Sequence, residues 1–240
     1  MRGRISGHMV VRLLLVAAAL TPAATGLAAA ASCTASAATL QWVQQLVIGR
    51  GLCPWASTDP ERGFTLLTSP EANEALQMVE SEAEGLAARA LNVQRPDGDA
   101  SAFFPPTSLV VVTDEDMASD VGAFANFCQR AQRRVKRSSA GGDVALLGFH
   151  PDRLDRGPGC RPSDASDAGH FSVRSPYPTV QVLLESDLVL AREEWAAKRP
   201  DDEFPGALGL LLENKRRLRA IGSTRLKRMF SLFSEKESTS

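Results

Sequence analysis

Four short apolar runs, separated by stretches with helical spacing, constrain the fold of this chain more than any other feature. Three of the runs are rich in valine and leucine, which is typical of strands that are buried in a sheet. The four runs are Phe64–Leu67, Leu109–Val112, Val144–Phe149 and Thr179–Leu184. Strands that alternate with helices predict a layered α/β (α+β) domain, with helices packed mainly on one face of a roughly four-stranded sheet.

Between these runs, apolar residues recur every three or four positions, as they do along one side of a helix. Helices are predicted before Gly49, after Pro70, over Ala118–Val135, from Asp187 to about Lys198, and over Leu208–Ile221. Two polar segments, Asn92–Pro106 and Pro151–Ser172, are predicted to be loops. Because the second loop is long, the last two strands can pair in either direction, and a mixed sheet is expected.

The first 38 residues have the layout of a sorting signal. Arg2, Arg4 and Arg12 precede the apolar run Leu13–Leu20, small residues follow, and no acidic residue occurs before Asp59. A basic stretch, an apolar stretch and a small-residue cleavage site are typical of a secretory signal peptide. An organellar transit peptide fits the same composition, and a membrane span is the third alternative.

This segment predicts that the protein enters the secretory pathway, either as its destination or as the first step to a plastid. Direct import into a plastid or mitochondrion is the alternative. Removing residues 1–38 deletes three Arg and no acid, which leaves 24 basic and 28 acidic residues. Neither this balance nor the net charge of -1 for the whole chain favours nucleic-acid binding.

Three sequence blocks resemble the DUF1415 family, a group of uncharacterised proteins. The first block comprises Trp42-Val43, Val47-Ile48-Gly49 and Leu52-Cys53-Pro54-Trp55-Ala56. The second is Gly148-Phe149-His150-Pro151, and the third is Arg174-Ser175-Pro176-Tyr177-Pro178-Thr179. The last helix, with Asn214, Leu218 and Gly222, also fits. The resemblance covers roughly residues 40–222 and implies one domain over residues 39–222, but it implies no particular reaction.

Two residues of these blocks are candidate catalytic groups. Cys53 could act as a nucleophile or redox thiol, with His150 as its general base and Arg174 lowering its pKa. His150 also suits such a role because it lies where a strand ends in a loop. In the structural alternatives, Cys53 is a small buried apolar residue, and the His150 ring bonds a loop carbonyl.

The third block offers candidate ligand-binding groups. Arg174 suits a carboxylate or phosphate, while Ser175 adds a hydroxyl and Tyr177 is the only tyrosine in the chain. Pro176 and Pro178 restrict the backbone and could hold these side chains toward a ligand. In the alternative, the segment is a rigid lead into the next strand, and Arg174 pairs with an internal acid.

A metal centre is a further alternative, in which His150, Cys160 and His170 act together with Asp152, Asp164 or Asp167. Their ligand types are suitable, but the long spacing matches no standard zinc pattern, so no metal site is predicted. The sequence specifies neither a cofactor nor an oligomeric state.

The C-terminal residues 223–240 are predicted to form a basic, amphipathic and partly disordered tail. Between Lys215 and Arg228 the chain has seven basic residues and no acid. Such a segment could make weak contact with an anionic membrane surface, or it could be a solvated helix face with a frayed end.

The sequence therefore leaves two classes of function open. The first is a domain that binds a small anionic ligand, and that could be an enzyme, with a pocket formed by Cys53, His150, Arg174 and Tyr177. The second is a non-catalytic interaction or scaffold protein, in which the prolines and glycines only shape the loops.

Overall fold

The computed structural model describes residues 34–56, 64–92, 107–161, 163–199, 204 and 206–235. Helix α1 covers residues 34–48, and its second half, Val43–Ile48, has the wider turns of a π-helix. The elements that follow, in chain order, are β1 (Phe64–Ser69), α2 (Ala72–Asn92), β2 (Thr107–Val112), α3 (Glu115–Ser119), α4 (Val121–Arg137), β3 (Val144–Phe149), a 3₁₀ helix (Ala168–Val173), β4 (Thr179–Leu184), α5 (Glu185–Ala197), α6 (Ala207–Ile221) and α7 (Ser223–Glu235).

The four strands form one mixed sheet in the order β1-β2-β4-β3. Strands β1 and β2 are parallel, whereas β4 lies between β2 and β3 and is antiparallel to both. The predicted four-stranded mixed sheet of an α+β domain is therefore confirmed. All four strands that were predicted from apolar runs are present, and β1 and β2 each extend two residues beyond the predicted run.

Helices α2 and α4 cover the first face of the sheet. Val110 and Val112 of β2 and Val180 and Val182 of β4 point to this face and are buried. The helices contribute apolar side chains at the spacing that the sequence predicts, among them Leu76, Val79, Ala83, Leu86, Phe124, Phe127, Ala131 and Val135.

The second face is covered as well, by α1, the 3₁₀ helix, α6 and α7. Leu109 and Val111 of β2 meet a second apolar cluster, which includes Trp42, Leu46, Phe171, Leu218, Leu226 and Phe233. This arrangement differs from the expectation that the helices pack mainly on one face. Its physical reason lies in β2, where four successive apolar residues alternate between the two faces and require both to be buried.

The helix that was predicted over Ala118–Val135 is two helices in the structure. Asp114 caps α3, since its carboxylate accepts a hydrogen bond from the amide of Met117 (3.1 Å). Asp120 takes an extended conformation after α3 and caps α4 through the amide of Gly122 (2.6 Å). Aspartate at the first position of a helix satisfies amides that have no partner within the helix, and this explains both starts.

The two ends of the domain are helical. Residues 1–33 of the predicted leader lie outside the described residues, whereas residues 34–38 begin α1, with Ala35 and Ala38 buried. At the other end, α7 packs Leu226 and Phe233 into the second apolar cluster, and residues 236–240 lie outside the described part. In the part of the chain that the structure describes, no helix has the length and apolar character needed to cross a bilayer.

The packing of α7 predicts different effects for two leucines of the same helix. Leu226 is fully buried, whereas Leu232 is 46% exposed. We expect Leu226→Ala to lower the free energy of unfolding by about 2–5 kcal/mol, because it leaves a cavity in the second cluster. The matched change Leu232→Ala is expected to stay within about 0.5 kcal/mol of wild type. Urea unfolding measures both, and equal effects would contradict this packing of α7.

Candidate functional site

The strand directions bring two of the family-like blocks to one edge of the sheet. Strands β1, β2 and β3 run in the same direction, so their carboxyl ends share an edge with the start of β4. His150 follows β3 at this edge, and the segment 174–178 leads into β4, where Phe149 pairs with Thr179. The predicted site residues His150, Arg174, Ser175 and Tyr177 are therefore neighbours in the fold.

The imidazole of His150 is fully buried, and main-chain groups use both of its nitrogens. Its Nδ1 accepts a hydrogen bond from the amide of Asp152 (3.1 Å), and its Nε2 lies 2.9 Å from the carbonyl oxygen of Met117. Because a carbonyl only accepts, the proton is on Nε2. The ring thus links α3 to the turn after β3 and leaves no nitrogen for a substrate, which favours the structural alternative for this residue.

His170 repeats the same arrangement at the far end of the loop 151–173. Its Nδ1 accepts from the amide of Asp155 (3.0 Å), and its Nε2 lies 2.9 Å from the carbonyl oxygen of Asp164. The ring is fully buried. Within the described residues, no group of three or more His, Cys, Asp and Glu side chains has an arrangement that could hold a metal ion. The alternative metal set of His150, Cys160 and His170 is therefore not assembled.

Cys53 lies in the turn after α1, which α6 holds in place. Asn214 donates to the carbonyl of Leu52 (2.6 Å), and Arg217 donates to that of Gly51 (2.6 Å). Burial raises the pKa of the Cys53 thiol, and main-chain hydrogen bonds at Trp55 and Ala56 lower it only in part. A neutral thiol is a poor nucleophile, and neither His150 nor Arg174 hydrogen-bonds its sulfur. The structure does not assemble these three groups as a catalytic set.

The guanidinium of Arg174 is anchored on one side only. Its Nε donates to the carbonyl of Arg153 (2.9 Å), and its central carbon lies 4.9 Å from the centre of the Phe171 ring. Phe171 in turn packs edge-on against Phe230 of α7, with ring centres 5.0 Å apart. Among the described residues, no carboxylate forms an ion pair with Arg174. Burial lowers the pKa of Arg174 and nearby Asp152 raises it, but arginine stays charged in either case.

Ser175 and Tyr177 shape the segment that carries Arg174. The Ser175 hydroxyl is buried and donates to the carbonyl of Tyr177 (2.5 Å), which also accepts from the Thr179 hydroxyl (2.8 Å). The Tyr177 side chain packs on the second apolar cluster. The Ser175 hydroxyl is thus used within the turn that leads into β4. Its hydrogen bond fixes the backbone next to Arg174.

A buried ion pair beneath the loop was not singled out from the sequence. The Lys215 ammonium on α6 is fully buried and lies 2.9 Å from Oδ2 of Asp155, and it also donates to the carbonyl of Pro158. Burial raises the pKa of Asp155, but hydrogen bonds from Gly157, Lys215 and Ser172 outweigh this effect and lower the pKa to about 2. The signal in the sequence is the position of Lys215, three residues from Leu212 and from Leu218, on the apolar side of the helix.

Close approach of the loop to α6 depends on glycine. A Cβ on Gly159 would lie 2.4 Å from a methyl carbon of Leu212, and the φ of Gly159 is +72°. A Cβ on Gly157 would lie 3.0 Å from Oδ1 of Asp155. These two residues allow the main chain to enclose the Lys215 ammonium.

A second ion pair ties the loop to the next turn of α6. Arg219 donates to both carboxylate oxygens of Asp167, at 2.9 Å from Nε and 2.6 Å from Nη2, and Nη2 also donates to the carbonyl of Gly159 (2.6 Å). The hydrogen bonds from Arg219 hold the pKa of Asp167 far below its usual range. Such two-point pairing is the strongest form of an arginine–carboxylate contact.

These pairs change the charge of the loop surface. Residues 151–174 contain four Arg and four Asp, so the segment is neutral in sequence. Two of its four acids, Asp155 and Asp167, pair with Lys215 and Arg219 of α6. The outer side of the segment therefore carries more positive than negative charge.

The buried ion pair predicts a large cost for losing one partner. We expect Lys215→Met to lower the free energy of unfolding by about 3–5 kcal/mol, because it leaves the Asp155 carboxylate buried without its cation. Adding Asp155→Asn is expected to restore part of the loss. Arg216→Met is the matched control, since Arg216 is exposed and its partner Glu213 lies on the same helix. If Lys215→Met unfolds in urea like Arg216→Met, the buried pair does not hold the loop.

The environment of Cys53 predicts low thiol reactivity. We expect iodoacetamide to label Cys53 on the order of tenfold more slowly in the native protein than in the denatured protein at mildly alkaline pH, because burial disfavours the thiolate. Mass spectrometry of the Cys53 peptide over time measures both rates. Equal or faster native labelling would instead restore Cys53 as a candidate nucleophile.

Comparisons with known proteins identify the family of this chain. A family model described as "Protein of unknown function (DUF1415)" matches residues 34–226, which is most of the chain. No curated protein and no solved structure matches. The match includes all four strands and α1 to α6, and it ends within α7. The chain belongs to the DUF1415 family.

Proposed function

We propose that this domain binds a small anionic ligand through Arg174, at the edge of the sheet where β3 ends. The observation that carries the proposal is the one-sided anchoring of this guanidinium. Its Nε bonds the carbonyl of Arg153 and its face lies on Phe171, while its two outer nitrogens pair with no acid in the described part of the chain. These nitrogens form the planar fork that suits a carboxylate or a phosphate.

The charge of the surrounding loop supports an anion at this place. Since Asp155 and Asp167 are paired with α6, the outer side of residues 151–174 has an excess of arginine. An excess of one charge raises the local concentration of ligands with the opposite charge. The proposal therefore rests on the loop as well as on one side chain.

The proposal is one of binding, without nucleophilic catalysis by Cys53. The Cys53 thiol is half-buried, and desolvation raises its pKa, so it is neutral near physiological pH. Both nitrogens of His150 bond main-chain groups. The turn after β3 and the Ser175–Tyr177 turn instead support Arg174 as a fixed binding group. A rigid, pre-organised contact loses less conformational freedom when the ligand binds.

A titration followed by nuclear magnetic resonance tests this proposal. Sodium acetate and sodium phosphate are added to the ¹⁵N-labelled protein, and sodium chloride at matched ionic strength is the salt control. We expect the amide signals of His150, Asp152, Arg153 and residues 171–174 to shift and saturate with acetate or phosphate. Arg174→Gln is expected to weaken this binding by at least about tenfold, because it removes a charge-assisted contact.

Two further variants test whether binding depends on the planar shape of the Arg174 side chain as well as its charge, and whether it depends on Arg174 rather than on any exposed arginine. Arg174→Lys keeps the charge but loses the fork, and is expected to bind more weakly than wild type. Arg133→Gln removes an exposed arginine of α4 and is expected to bind like wild type. Wild-type protein without saturable shifts, or Arg174→Gln with unchanged binding, would exclude the proposed site and favour the non-catalytic scaffold function.

A further inference from the structure

One tight turn carries a negative side chain and anchors a positive one, and the two do not pair with each other. The turn comprises His150 to Arg153, where the amide of Arg153 donates to the carbonyl of His150 (3.1 Å). Asp152 lies inside this turn, and its amide bonds Nδ1 of the buried His150 ring. Arg174 bonds the carbonyl of Arg153, the last residue of the turn. One turn therefore sets the positions of both the Asp152 backbone and the Arg174 guanidinium.

The Asp152 and Arg174 side chains adjoin the same turn but do not form an ion pair. In the described part of the chain, no carboxylate lies within 4.0 Å of an Arg174 nitrogen, and the Asp152 carboxylate accepts no hydrogen bond. The negative charge of Asp152 nevertheless raises the pKa of Arg174 against the effect of burial. Asp152 is exposed and Arg174 is half-buried, so a ligand can reach both from the solvent.

The other charged side chain of this turn is Arg153, and its contacts lie away from Arg174. The Arg153 guanidinium donates to the carbonyl of Gly148. It also lies near Cys128 of α4, since a Cβ on Gly148 would approach both the Cys128 sulfur (2.9 Å) and Nη1 of Arg153 (3.5 Å). Arg153 thus turns toward the face of the sheet that α4 covers. Asp152 remains as the charged neighbour of Arg174.

We propose that the ligand of the Arg174 site is a small zwitterion of the α-amino acid class, with its carboxylate on Arg174 and its ammonium on Asp152. This inference rests on the proposed function and adds the second charge of the ligand to it. A ligand that has only a carboxylate would meet the repulsion of Asp152 as well as the attraction of Arg174. A ligand that also has an ammonium group gains an ion pair from the same aspartate.

Three compounds of similar size distinguish these interactions. L-alanine has both charges, propionate has only the carboxylate, and L-alanine methyl ester has only the ammonium. Binding is measured by the same resonance titration on the full chain. We expect wild-type protein to bind L-alanine about fivefold more tightly than propionate, since an exposed ion pair contributes at most that ratio.

Asp152→Asn tests the role of the carboxylate with little change in shape. It is expected to bring the affinities for L-alanine and propionate to within about twofold of each other, by weakening the first and strengthening the second. Asp143→Asn is the matched control, because Asp143 is an exposed acid that precedes β3, at the opposite edge of the sheet. It is expected to keep the wild-type ratio.

The outcomes separate this inference from the function on which it rests. Propionate binding that equals or exceeds L-alanine binding, and that Arg174→Gln abolishes, would overturn the zwitterion and leave the anion site intact. An unchanged ratio in Asp152→Asn would also overturn the assignment of the ammonium contact. Absence of saturable binding by all three compounds, together with acetate and phosphate, would overturn both proposals.

Discussion

The ion pair between Lys215 and Asp155 is the contact on which the loop between β3 and β4 depends. A fully buried ammonium loses its hydration, and this loss has to be offset by good partners within the protein. Lys215 has two, the Asp155 carboxylate and the carbonyl of Pro158, and the glycines beside Pro158 let the main chain come close enough. The 3₁₀ helix, and with it Phe171 under Arg174, is held in place by the same loop.

Helix α6 connects this loop to the turn after α1 through polar side chains that point toward both segments. Asn214 and Arg217 hold the turn that contains Cys53, while Lys215 and Arg219 hold the loop. Much of the basic C-terminal stretch is therefore structural. Among the described residues of this stretch, exposed Arg216 pairs with Glu213 of the same helix, whereas Arg225, Lys227 and Arg228 are exposed on α7. The predicted weak membrane contact therefore depends mainly on the three cations of α7.

The sequence predicts the strands and the mixed sheet because short valine-rich runs are strong local signals. It also predicts one pocket that contains His150 and Arg174, and the structure makes them neighbours because β3 ends where β4 begins. The hydrogen-bond partners of His150 could not be predicted, because the amide of Asp152 and the carbonyl of Met117 belong to segments that only tertiary packing brings together. Lys215 was missed for another reason, since a lysine among basic neighbours looks solvent-exposed unless its place on the apolar face of the helix is noticed.

The position of β4 has a consequence for how the chain is made. This strand is the last of the four to be synthesised, yet it lies between β2 and β3, which make no ladder with each other. Until residue 184 leaves the ribosome, β2 and β3 each present an unpaired apolar edge that invites wrong pairing. The nascent chain therefore passes through a long interval in which its sheet has a gap at the centre, and a chaperone that shields strand edges would be most useful then.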